Sequence, residues 1–466
     1  MMQQTTFMED KALPYEQTIL LLVKSKINET EKLNQIFYYI ESVKIHSLLM
    51  SENRTNNFPE NIASLEEIKK CLSGDEVMID FYYGADYLIA LLVSNTGAKL
   101  EINNRGANDI TPILERYSKN MSPKMMEYKG SYCTQQNIIN EGSKLFSLLF
   151  GSHYSNGRLP QNCKIFVIPH RQLHYLPWNS LSLSKQNNGM EYLIDKYQVS
   201  VIPAAMVLYR MKKEKNLKHK TKKLHNTFSI GSNISYRNDT LKALRGLNSW
   251  NIYEGKKVNV ENALAELQKS DIVIFYAHGY FDQTSPFDSY KELNDETENS
   301  KLTLMDIEST SISCDFIVLA GCATGTIGKY SELSLQSQEE KFPEADDLLG
   351  IYKQLVSKGV RNIIVSVVNE TNKTCTENML ISLACKLNDP SYIASEAFRN
   401  SILEAKGNKK HPYYWGAYVL VGAFKILQNY HFIYYRARHF FSDRRMHSCS
   451  SGCTREVRRT RYNRKT

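Results

Sequence analysis

Apolar, β-branched runs of strand length recur along this chain, separated by stretches with helical spacing. Residues 163–169 (CKIFVIP), 271–279 (DIVIFYAHG), 315–325 (DFIVLAGCATG), 360–368 (VRNIIVSVV) and 414–422 (YWGAYVLVG) are of this kind. Continuous rather than alternating apolar runs suit strands covered on both faces. Helical patterns at 260–270, 345–358, 374–387 and 391–405 are interleaved with them. Alternation of that sort specifies an α/β layered domain with a largely parallel sheet flanked by helices. In such sheets, ligands and chemistry collect just beyond the carboxyl ends of the strands.

Two of the runs stop on a reactive side chain beside glycine. The first ends on His278, followed by Gly279, and the second reaches Cys322 directly after Gly321. A cysteine attacks a carbonyl as its thiolate, and an adjacent histidine is the usual way to generate one. Two strands of one sheet can bring these groups together despite their separation in sequence. Gly279, without a Cβ, allows its backbone N–H to approach a developing oxyanion, and the N–H of Cys322 is a second donor. The remaining candidates have weaker settings. His170 and His174 lie in a turn after a strand, and His411 precedes Pro412 in a loop, so all three read as structural or exposed. Cys163 and Cys314 open strands, and Cys375 and Cys385 fall on helices.

The rest of the chain frames these runs. Residues 1–75 read as a helical lead-in, with Ser64 and Glu67 forming a capping box before Ile68; a remnant of a helical repeat is the alternative. Residues 76–83 and 87–94 form a β-hairpin pattern around Gly84-Ala85-Asp86, and a polar, helix-prone segment follows to about residue 151. Short strands are expected at 198–202 and 228–231, polar loops at 283–300 and 329–342, a short helix at 304–308 and a turn at 57–61. Residues 210–223 carry eight Lys or Arg against one Glu. Without interleaved aromatics this reads as a solvated linker or helix face rather than a nucleic-acid patch.

Charge and cysteine usage narrow the function further. The net charge is +9, and residues 425–466 alone hold eleven Lys or Arg against two acids, so the remainder of the chain is neutral. The basicity belongs to a tail (428–466) that shows no periodicity and reads as disordered, with a basic binding arm the sharper reading. No nucleic-acid partner is expected on this basis. The nine cysteines are odd in number and scattered, which fits free thiols in a reducing, cytoplasmic compartment. Cys449 and Cys453, near His447, lack a second ligand pair for zinc, and no metal or cofactor is called for. No apolar run approaches the roughly 20 residues of a membrane span, and no secretory leader pattern opens the sequence.

Six segments taken in order resemble the CHAT-domain family, the caspase-like proteins related to separase. They are IFVIPHRQLHYLPWNSL (165–181), FYAHGYFD (275–282), SKLTLMDI (300–307), IVLAGCATGTIG (317–328), EADDLLGIYKQLVSKGVRNIIVSVV (344–368) and HPYYWGAYVLVG (411–422). The resemblance covers about residues 76–427 and implies a caspase-type fold and endopeptidase action on a protein substrate through an acyl-enzyme. It places His278 as general base and Cys322 as nucleophile, with a protein partner as a possible activator. Asp346 matches an acidic position just before the family's Leu-Gly helix and is expected to line the substrate pocket, although a carboxylate is favoured in a first helical turn anyway. The chain departs from the family after the 360–368 strand: Val368 and Asn372 stand where a tryptophan and an aspartate are common. An amide receives a basic P1 side chain less strongly than a carboxylate, and Glu370 is the nearest acid. Asp346, Glu370 and Asn372 are therefore the expected pocket residues, with a basic P1 preference the weaker expectation. The competing reading is a catalytically weak interaction or signalling module on the same fold.

Overall fold

The apolar runs become the interior of one large sheet. The structure, a computed structural model, describes residues 2–50, 62–121, 131–186, 189–213, 225–232, 234, 238–247, 249–280, 289–294, 300–321, 351–368, 371–389, 392–409 and 411–423. The expected turn at 57–61, the loop at 329–342 and the tail at 428–466 lie outside these residues.

In chain order the strands are β1 (Glu76–Tyr83), β2 (Leu88–Ser94), β3 (Gly97–Asn103), β4 (Lys164–Ile168), β5 (Ser182–Gln186), β6 (Gly189–Tyr192), β7 (Gln198–Val201) and β8 (Asn226–Ile230). They continue with β9 (Trp250–Glu254), β10 (Ile272–Tyr276), β11 (His278–Tyr280), β12 (Tyr290–Glu292), β13 (Lys301–Thr303), β14 (Phe316–Ala320), β15 (Asn362–Ser366) and β16 (Tyr418–Gly422). The helices are α1 (Met2–Lys24), α2 (Glu29–Met50), α3 (Leu65–Cys71), α4 (Ala107–Asn120), α5 (Ser131–Ser155), α6 (Leu193–Lys196) and α7 (Ala205–Lys213). The remaining helices are α8 (Asn238–Arg245), α9 (Val260–Lys269), α10 (Leu304–Ser309), α11 (Ile351–Ser357), α12 (Lys373–Leu387) and α13 (Ala394–Lys406).

Eleven strands form the main sheet in the order β3-β2-β1-β4-β7-β16-β15-β14-β10-β8-β9. Strands β1, β4, β7 and β16 run parallel, as do β15, β14, β10, β8 and β9. Between the two blocks, β16 pairs antiparallel with β15. The carboxyl ends of the blocks therefore lie on opposite edges. Every residue of β10, β14, β15 and β16 is buried, as expected for a sheet covered by helices on both faces. Each such Ile, Leu or Val contributes about 1.5–3 kcal/mol of hydrophobic stabilisation.

Several elements differ from the sequence reading. The polar segment after the hairpin opens with strand β3, whose GAKLEIN sequence is only half-buried because it forms the outer edge of the sheet. The expected acidic loop at 283–300 contains β12, the centre of a small β11-β12-β13 sheet. The last apolar run begins as a 3-10 turn at Pro412–Tyr414 and becomes a strand only at Tyr418. The run 271–279 is not one strand: β10 ends at Tyr276, and His278 opens β11 in the small sheet.

The helical lead-in is part of this architecture. Ser64 caps α3, and the reciprocal bonds with Glu67 form the expected capping box. Ile19 and Leu22 of α1 and Ile36, Ile40 and Val43 of α2 pack with Tyr82, Tyr87 and Ile89 of the β1–β2 hairpin. On the same helix, the fully buried Lys44 is paired with Asp80 and donates to the carbonyls of Phe81 (2.8 Å), near the end of β1, and Ile168 (3.3 Å), the last residue of β4. Helix α2 thus covers that part of the first block's carboxyl edge.

Glu41, one turn before Lys44, is also fully buried. One carboxylate oxygen accepts the Met206 N–H at 3.0 Å, and the other has no partner among the described residues. Burial, and next the negative charge of Asp80, push its carboxyl up to about 8, so it is protonated at neutral pH. A raised carboxyl favours folding most below its ordinary value of 4.5, and this contribution disappears as pH rises toward about 8. The unfolding midpoint is therefore expected to fall between pH 5 and pH 8 by up to about 1.4 kcal/mol of stability per pH unit. Glu41→Gln, which keeps an acceptor for Met206, should flatten that dependence; an unchanged slope in thermal melts would contradict this.

Candidate active site

The carboxyl edge of the second block is built from strand ends that diverge. β10 and β14 are parallel and in register from Ile272 opposite Phe316 to Tyr276 opposite Ala320. One further bond, from Ala277 N–H to the Ala320 carbonyl at 3.2 Å, closes that ladder. At Gly321 the backbone turns with φ of +128°, a conformation open in practice to glycine alone. A Cβ there would lie 2.1 Å from the Ala277 carbonyl oxygen. The Gly321 N–H donates at 3.2 Å to the hydroxyl of Tyr418, a buried residue of β16. The chain then passes to Cys322, which lies outside the described residues.

On the neighbouring strand end, His278 is exposed and Gly279 is half-buried. Across the β11–β12 ladder, His278 stands opposite Glu292, Gly279 opposite Lys291 and Tyr280 opposite Tyr290. Strand alternation puts His278, Tyr280, Tyr290, Glu292 and Lys301 on one face of the small sheet. Tyr280 is 52% exposed and stacks on Tyr290 at 5.1 Å, with the Lys301 ammonium 4.4 Å from the Tyr290 ring centre. The opposite face carries Lys291 and Leu302, both buried. Ser232 N–H donates to the Leu293 carbonyl and Gly231 N–H to that of Tyr276, which ties the small sheet to the ends of β8 and β10.

Of the expected pocket residues, Asp346 and Glu370 lie outside the described residues. Asn372 is half-exposed, and its side-chain oxygen accepts the Cys375 N–H at 3.0 Å as the N-cap of α12. An aspartate would cap equally well, so the departure at this position changes charge and leaves the helix start intact. Val368 is buried, with its backbone bonded to the Ser366 hydroxyl.

The competing histidines are structural. His170 stacks on Tyr82 at 4.2 Å, and its Nδ1 accepts the Tyr83 N–H at 3.2 Å. His174 is buried. Burial holds the His411 imidazole down to about 4, and its Nδ1 accepts the Tyr413 N–H. Burial also pushes up the thiols of Cys71, Cys163, Cys314 and Cys375, Cys71 to about 11 and Cys163 to about 12. A thiol held protonated in this way is a poor nucleophile.

A family model for the CHAT domain matches residues 140–423, more than half of the chain. The chain belongs to the CHAT-domain family. Its match begins within α5, so β1–β3 lie ahead of it, although β1 is an inner strand of the same sheet. Among solved structures, Saccharomyces cerevisiae separase, crystallised with securin, is similar to this CHAT-domain chain. The structure at 3.0 Å superimposes with a TM-score of 0.55 at 10% identity, and that at 2.6 Å with 0.52 at 11%. In both cases 85% of this chain is covered but only 34% of the separase chain, so it spans about a third of that protein's length. The likeness establishes a caspase-like fold. No curated protein sequence matches the chain. No helix among the described residues of this CHAT-domain chain is long and apolar enough to cross a membrane.

Two participants at this edge escaped the sequence reading. Lys291 lies in a stretch whose sequence reads as a polar loop, and Tyr418 reads only as a strand residue. Tyr418 offered a weak signal, as a hydroxyl-bearing side chain at the start of an otherwise aliphatic strand.

Proposed function

We propose that this chain is a cysteine endopeptidase acting through a His278–Cys322 dyad. The observation that carries the reading is the β10–β14 register, which pairs each residue with the one 44 positions later as far as Tyr276 and Ala320. His278 and Cys322 continue that numbering, one exposed on β11 and the other directly after the constrained Gly321.

In the proposed reaction, the His278 imidazole takes the Cys322 thiol proton and the thiolate attacks the scissile carbonyl carbon. The resulting oxyanion is held by the N–H groups of Gly279 and Cys322. Collapse of the tetrahedral intermediate breaks the C–N bond. The leaving amine takes its proton from the imidazolium, and a thioester remains on Cys322. Water, deprotonated by His278, then releases the acid product and restores the thiol.

The substrate is a protein segment, with Asp346, Glu370 and Asn372 lining the pocket for its P1 side chain. The described cysteines are free, consistent with a reducing, cytoplasmic setting. Separase in its structures is bound to securin, and by analogy a protein partner that controls access to the cleft suits this chain. One observation favours the second reading, a non-catalytic interaction module: Asn372 caps its helix without supplying a carboxylate to the pocket. A peptide library scanned at P1 decides between them. Cleavage by the purified wild type that disappears in Cys322→Ala supports the peptidase, whereas equal turnover by both proteins contradicts it. Acidic or apolar P1 selection would remove the basic preference.

A further inference from the structure

Lys291 is 1% exposed, yet it stands at the centre of the carboxyl edge just described. Its ammonium donates to the carbonyl of Ala277 and to that of Ala320, each at 2.6 Å. These are the last carbonyl before His278 and the last before Gly321. The space it occupies depends on Gly321, because a Cβ there would lie 2.9 Å from the Lys291 nitrogen. A lysine is rarely buried to this degree, since desolvating the charge is unfavourable without strong acceptors. Here the acceptors are the two strand ends from which the candidate base and nucleophile emerge.

We infer that Lys291 is a positioning residue of the dyad. It cross-links the ends of β10 and β14 and carries its ammonium to the edge from which His278 and Gly321 lead on. This rests on the reading of Cys322 as nucleophile but adds a component that neither partner of the dyad supplies. A cation nearby favours the thiolate over the thiol and so lowers the pH at which the nucleophile forms. The fold contains the same device at β1 and β4, where Lys44 bridges Phe81 and Ile168. There Asp80 pairs with the ammonium and helix α2 covers the edge. The first lysine closes a sheet end; the second underlies the one that carries His278.

The test is the pH profile of iodoacetamide alkylation at Cys322, read by peptide mass spectrometry on the full chain. Lys291→Gln removes the charge and keeps N–H donors on a side chain one bond shorter, whereas Lys291→Met removes both charge and donors. The midpoint for Cys322 is expected to rise by about one pH unit in Lys291→Gln, with alkylation roughly tenfold slower at pH 6. Lys291→Met should show the same shift together with a lower thermal midpoint. A Cys322 midpoint unchanged in folded Lys291→Gln overturns the inference, while wild-type peptidase activity is unaffected by that result. Failure of the dyad reading looks different: no peptide cleavage, and no preferential alkylation of Cys322 even in the wild type. Should neither variant fold, the wild-type midpoint decides, because a value at or above about 8.5, that of an ordinary cysteine, contradicts a cation acting on this thiol.

Discussion

Gly321→Ala is expected to abolish peptide cleavage and to destabilise the fold. The added methyl carbon would stand 2.1 Å from the Ala277 carbonyl oxygen, well inside van der Waals contact, and 2.9 Å from the Lys291 nitrogen. Relief would require the ends of β10 and β14 to separate, disrupting the Ala277 N–H bond to Ala320 and the Lys291 bridge together. The backbone conformation alone costs about 1–3 kcal/mol for a non-glycine residue, before any steric overlap. Because the following residue is the proposed nucleophile, even a partly relaxed variant carries it out of position, and a displacement of about 1 Å can reduce a rate by two orders of magnitude. Thermal unfolding and kcat/KM measured on the same preparation check both halves. A variant as stable and as active as the wild type would contradict the described strand-end geometry.

His278→Ala is expected to lower kcat by about 10²–10⁴-fold, the usual contribution of a positioned general acid–base group, with a much smaller change in KM. The imidazole serves twice in the proposed cycle, in forming the thiolate and in protonating the leaving amine, so its loss slows acylation most. His278 is exposed, and truncation leaves no cavity in the core. Stability should therefore change by less than about 0.5 kcal/mol. That separation distinguishes a chemical role from a structural one. Substituting the buried His170, which stacks on Tyr82 and receives the Tyr83 N–H, should do the reverse.

The sheet and the placement of His278 at its edge were legible because they rest on local patterns. Short β-branched runs such as IVIFY and FIVLA read as interior strands, and the histidine and glycine that follow IVIFY lie just beyond the carboxyl end of β10. What escaped was decided by tertiary contacts. β12 reads Tyr-Lys-Glu, and its one buried residue is the lysine. No hydrophobic pattern marks such a strand, since burial of Lys291 is possible only where two carbonyls from distant strands converge on it. β3 went unread for a related reason: an edge strand half in solvent needs few apolar residues. The antiparallel placement of β16 beside β15 depends on how the two blocks meet, and no feature within YVLVG records strand direction. Ala277, where the 271–279 run breaks, looks like any small residue until the Lys291 ammonium claims its carbonyl.

Asn372 shows the limit of a motif comparison. Its difference from the family's aspartate suggested a defect in substrate recognition, yet its side chain has a local task as an N-cap that both residues perform. Only the charge at this position differs. Under the proposed function the departure bears on which substrates are taken, and the roles proposed for His278 and Cys322 do not rest on it.

The most direct measurement is capture of the covalent intermediate. The protein is mixed with an activated peptide ester, quenched in acid at successive times and analysed by intact and peptide mass spectrometry. A single acyl adduct is expected on the peptide containing Cys322, formed and lost at rates consistent with turnover. The adduct should be absent in Cys322→Ala and slow to form in His278→Ala. Peptide hydrolysis without an adduct on Cys322, or an adduct on another cysteine that turns over at the same rate, would contradict it.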